Sequence, residues 1–79
     1  MSLSPQQRQA KLRALVEAEG YPSVDDLLAA AVADSVCPAI CTAGDCSYTC
    51  EMEPDQDRGW CEECGKNTMQ SALVLAGII

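Results

Sequence analysis

Six cysteines and no histidine stand in a chain of 79 residues. Nothing else in the sequence limits the fold as strongly. A domain this small buries too little surface to be robust without a staple such as metal, disulfides or a partner subunit. Two cysteine pairs are closely spaced, Cys41 and Cys46 in "CTAGDC" and Cys61 and Cys64 in "CEECG". The stretch "MSLSPQQRQAKLRALVEAEG" has no apolar core and no small-residue cleavage site of a secretory signal, so a cytoplasmic location is expected. Thiols stay reduced there, and clustered cysteines more often bind metal than form disulfides.

The sequence reads as one α+β domain, 1–79, with a helical half and a cysteine half. In the first, expected to form a helical hairpin over 5–35, Ser4 stands where an N-cap belongs, Pro5 at the first helical position and Gln7 in the capping-box position. Leu12, Leu15 and Val16 make a one-sided apolar stripe, and Gly20 ends the helix. Ser23 caps a second helix with Asp25 and Asp26 in its first turn, and Val24, Leu27, Leu28, Ala31 and Val32 form its expected buried face. This helix carries no Arg, Lys, Asn or Gln to read a base edge, so a packed hairpin is favoured over a DNA-binding helix-turn-helix.

The segment 37–66 is expected to be a cysteine-rich zinc-binding hairpin. "CSYTCEME" alternates, with Cys46, Tyr48, Cys50 and Met52 on one face, and reads as a half-buried strand. "PDQDRG" then supplies a turn, and Trp60 and Cys61 start a return strand, with Trp60 expected in the core. The remainder, 67–79, opens with Asn67 as cap and Gln70 in the capping-box position and is expected to be an apolar C-terminal helix. About a dozen residues fall short of the roughly 20 that span a bilayer, so this helix is expected to pack on the N-terminal hairpin or to form a homodimer interface.

Strand geometry sorts the cysteines. At ~3.3 Å per residue, Cys46 and Cys50 on one extended strand lie about 13 Å apart, too far to share an ion at bonds of about 2.3 Å. Between Cys41 and Cys46, "TAGD" can fold back, with Gly44 free to take a positive φ, and Gly65 serves the same purpose after "CEEC". Cys41, Cys46, Cys61 and Cys64 therefore form a C-x4-C and C-x2-C set with the layout of a structural tetrathiolate zinc site. Cys37 in "CPAIC" is a rival ligand, although it reads better as a small buried apolar residue at the end of the second helix. Cys50 reads in the same way, beside Tyr48 and Met52.

From about residue 34 onward the chain resembles a group of small bacterial proteins of zinc-ribbon type whose activity is uncharacterised, and in a general way other zinc ribbons and treble clefs. "EPDQDRGWCEECG" and "SALVLAGII" carry the likeness. The resemblance implies metal binding by Cys41, Cys46, Cys61 and Cys64 and no cysteine where Cys50 stands. It implies no activity.

Charge and chemistry narrow the function. The formal charge is −7, from 12 acidic and 5 basic residues, and four thiolates on zinc would make it about two units more negative. Most of such a surface repels a nucleic-acid backbone. Arg8, Lys11 and Arg13 gather on the first helix, where an ordinary solvated face is the stronger reading. Four thiolates close the coordination sphere and the commonest general base is absent, so an enzyme is not expected. The acidic loop does not fit a calcium-binding EF-hand, because the required glycine falls on Trp60. The expectation is a zinc-binding module that contacts another protein. A nucleic-acid-binding zinc ribbon is the alternative, followed by thiol redox exchange at "CEEC" or an iron-bearing electron carrier.

Overall fold

The computed structural model describes residues 3–33 and 35–78; Asp34, in the expected second helix, and Ile79, at the end of the expected third, lie outside them. The α+β class holds. Helix α1 (Pro5–Glu19) and helix α2 (Val24–Ala33) precede strands β1 (Cys37–Cys41), β2 (Thr49–Met52), β3 (Gly59–Cys61) and β4 (Lys66–Ser71), and a one-turn helix α3 (Ala72–Leu75) follows.

The helical half forms as its caps dictate. Ser4 Oγ accepts from the Gln7 amide at 3.2 Å, while Gln7 Oε1 accepts from the Ser4 amide at 2.9 Å. Gly20, at φ 78°, closes the helix in the left-handed conformation that glycine adopts without a steric cost. Ser23 Oγ accepts from the Asp26 amide at the start of α2. Leu12, Leu15, Val16, Leu27 and Ala31 are buried together as expected. Val32 is not part of that face and is 64% exposed.

The four strands form one antiparallel sheet in the order β2-β1-β4-β3. The expected hairpin of β2 with β3 is corrected here, because β2 pairs with β1 and β3 with β4. The "PDQDRG" segment is consequently a crossing between opposite edges of the sheet. Strand β1 stands where Cys37 was expected to end a helix. Its Pro38, which cannot donate to a ladder, is tolerated because pairing with β4 begins only at Ala39.

The C-terminal helix starts at Ala72 rather than Asn67. Residues 66–71 pair instead with β1 and β3, and the cap is Ser71, whose Oγ accepts from the Val74 amide. Ser71 is fully buried and also donates to the Pro54 carbonyl at 2.5 Å, so the crossing segment is fastened to the root of α3. Ala72, Leu73 and Leu75 pack with Leu12, Leu15, Leu27, Cys37 and Ile40. The apolar tail thereby finds its partner within the chain.

A second cluster joins Ala39, Cys41, Cys61 and Met69 with Cys46, Tyr48, Cys50, Met52 and Cys64. A Cβ placed on Gly59 of β3 would collide with the Met52 side chain of β2, so the sheet curls until its two edge strands meet. The cysteines of this cluster occupy the inside of that curl. Trp60, between inward Gly59 and Cys61, is 55% exposed, contrary to the core position expected for it.

Candidate metal centre

Each cysteine pair sits at the turn of a hairpin. Cys41 ends β1, and Cys46 lies in the connection to β2; Cys61 ends β3, and Cys64 lies in the connection to β4. The first connection folds back through the Cys46 amide, which donates to the Ala43 carbonyl at 3.2 Å. Gly44 does this without the positive φ expected of it. In the second, the Cys64 amide donates to Cys61 Sγ at 3.4 Å and the Gly65 amide to the Cys61 carbonyl at 2.8 Å. Gly65 has φ 66°, as its position after the pair anticipated.

Because β1 and β3 flank β4, the two turns meet at one end of the sheet. The sulfurs of Cys41, Cys46, Cys61 and Cys64 all lie within 4.8 Å of one another. Cys41 Sγ is 3.7 Å from Cys64 Sγ, and Cys46 Sγ is 3.8 Å from Cys61 Sγ. All six cysteines are free thiols. The sequence singled out these four, and the structure brings them together.

It does not bring the other two into the group. Cys37 is buried in the helical core, with its thiol against the Pro38 carbonyl. Cys50 packs beside the four inside the curl. Burial, the Glu62 carboxylate and Cys61 push its thiol up.

The thiols of Cys41 and Cys64 titrate far apart. Burial raises that of Cys41, but a hydrogen bond from Thr68, the Ala43 amide and the sulfurs of Cys46 and Cys64 outweigh it and bring the value down from 9.0 to about 7. The Cys64 thiol is pushed up to about 12 by the Cys46 and Cys41 sulfurs and by burial. Cys46 is favoured as a thiolate by the Tyr48 amide, yet burial and the Cys41 and Cys61 sulfurs leave it raised. Four sulfurs this close cannot all be anionic without a cation among them. The arrangement is one that could hold a metal ion.

Two further residues support the cluster: Thr68, which the sequence did not mark, and Lys11, which was expected on a solvated helix face and instead turns inward. Thr68 Oγ1 is 3.0 Å from Cys41 Sγ. Its place on a strand was hidden by the expectation of a helix there. Lys11 of α1 reaches across the two halves, its ammonium donating to the Ala43 carbonyl at 2.6 Å and the Cys46 carbonyl at 2.5 Å. Lys11 precedes buried Leu15 by four residues, which puts it on the inward side of the helix, and this spacing was the available signal. Tyr48 donates to the Glu62 carboxylate at 3.3 Å, joining the two turns at the surface.

No family model, curated protein or solved structure matches the chain. Its class is therefore defined by what it contains: a small α+β protein with a four-cysteine cluster that could hold a metal. Among the described residues, no helix is long and apolar enough to cross a membrane.

Proposed function

We propose that the protein binds one zinc ion through Cys41, Cys46, Cys61 and Cys64, and that this site holds together a module whose role is to contact another protein. One observation carries the zinc reading. A tetrahedron with metal to sulfur bonds of about 2.3 Å has sulfur to sulfur edges of about 3.8 Å. The 3.7 and 3.8 Å separations form two opposite edges of such a figure, each pairing a sulfur from one turn with a sulfur from the other. Amides donating to Cys61, Cys41 and Cys46 offset part of the thiolate charge.

Placement of both cysteine pairs at hairpin turns supports a ribbon-type site. A strand follows Gly65 where a treble clef would have a helix. The same strand weakens the redox reading of "CEEC", which needs the motif to open a helix. A protein partner is supported by the charge of −7 and by exposed Trp60, Val32, Val36 and Ile78. The nucleic-acid alternative has one feature in its favour, a cleft lined by Arg8, Arg58 and Lys66 with Asp57 as its acid.

The test is elemental analysis of protein purified under reducing conditions without added metal, on the wild type and on Cys→Ser variants of the four. One zinc per chain, lost in each variant, is the expected result. Absence of metal, or iron with visible absorption, would overturn it. Salt-sensitive retention on a DNA or RNA column would move the functional reading to nucleic acid.

A further inference from the structure

Lys11 is one of five cations in the chain, and its ammonium is turned inward onto the loop that carries Cys41 and Cys46. A lysine on a helix flank normally keeps its charge in water. Here it grips the carbonyl that fixes the fold-back of the loop and a second one beside it. The Ala43 carbonyl also accepts the Cys46 amide, and the Cys46 carbonyl lies on a ligand residue itself.

We infer that Lys11 is a positioning residue for the metal loop and couples occupation of the cysteine cluster to the docking of α1. The inference rests on the metal reading above and adds a regulatory link to it. Two effects act together. The ammonium fixes the turn so that the Ala43 and Tyr48 amides stay aimed at the Cys41 and Cys46 sulfurs. It also places a positive charge beside a centre that carries about two negative charges once four thiolates hold a divalent ion. Reciprocity then requires that a loaded site hold Lys11, and with it α1, more tightly than an empty one. Leu12, Leu15 and Val16 bind α1 to the helical core, which is separate from the cysteine cluster, so among the described residues Lys11 is the polar tie between α1 and that cluster.

The experiment compares zinc affinity by chelator competition in wild type, Lys11→Met, Lys11→Arg and Arg13→Met, with hydrogen exchange of the α1 amides in the loaded and metal-free forms. Arg13→Met removes the same charge from the exposed side of the same helix. Lys11→Met is expected to bind zinc about 10- to 100-fold more weakly, as loss of a supporting partner around a metal typically does. Lys11→Arg should recover most of that loss, and Arg13→Met should stay within about threefold of wild type, since it touches no part of the loop. Zinc should slow exchange in α1 of wild type more than in α1 of Lys11→Met.

Equal affinity in wild type and Lys11→Met overturns this inference and leaves the zinc reading intact. A wild type that takes up no metal overturns both. Lys11→Met that stays unfolded at saturating zinc also overturns it, because the residue would then be needed for the fold itself.

Discussion

The Thr68 hydroxyl lies 3.0 Å from the Cys41 sulfur, and Cys41 has the thiol brought down to about 7. Thr68→Val keeps the shape of the side chain and removes the donor. In metal-free protein the alkylation midpoint of Cys41 is expected to move upward, and zinc affinity to fall by about tenfold. Alkylation rates against pH followed by peptide mapping measure the first, and chelator competition the second. An unmoved midpoint would mean that Thr68 does not donate to the thiolate.

Stability of the metal-free protein should depend on pH in two directions. Cys41 is lowered to about 7 from 9.0, so its contribution is complete above 9.0 and is lost as pH falls through about 7. Cys64 is pushed up to about 12, so the folded state is favoured with its thiol neutral and loses that contribution as pH rises above 9.0. The melting temperature by circular dichroism is expected to drop on both sides of pH 9. With zinc bound the decline above pH 9 should vanish, because the ligands have already given up their protons. The same alkaline decline with and without zinc would count against metal ligation.

Ser71 is a buried polar residue with two tasks, capping α3 and holding the Pro54 carbonyl. Ser71→Ala leaves both the Val74 amide and that carbonyl without their partner. A loss of about 2 kcal/mol is expected in urea unfolding of the zinc-loaded protein. A change within the experimental error would show that water replaces the hydroxyl.

Cys37 and Cys50 should be dispensable for metal. Cys37→Ala removes a sulfur from the helical core and is expected to cost about 1 kcal/mol in unfolding free energy. Cys50→Ala should matter less, since Cys50 is only half-buried. Both variants are expected to keep one zinc by elemental analysis. Loss of metal from either would enlarge the ligand set.

The helical half could be read in the sequence because its signals are local. Ser4, Gln7 and Gly20 act within a turn of where they stand, and each takes the role its spacing implied. The four cysteines were legible for the same reason, since each pair closes through its own short turn. Strand pairing is not local. "NTMQ" satisfies a capping box on paper, yet the backbone there bonds to β1 and β3, whose positions no nearby residue announces. Strand β1, too, depends on distant partners: Cys37 read as the end of a helix, and Pro38 is compatible with a central strand only once the reach of β4 is known. Trp60 was readable in principle, for alternation with an inward Cys61 turns it outward. Its size suggested core, and the period of the strand decided otherwise.

The two hairpins, β1 with β2 and β3 with β4, each join residues that are near in sequence, whereas the seam between β1 and β4 joins distant ones. The sulfur pairs that cross between turns are 23 and 15 residues apart. A cation captured by one hairpin would turn the search for the other into closure of a short loop, which removes part of the entropic barrier to a non-local pairing. Zinc would then quicken assembly as well as secure its product. Refolding followed by stopped-flow circular dichroism should be faster with zinc present from the start than when it is added after the chain has collapsed.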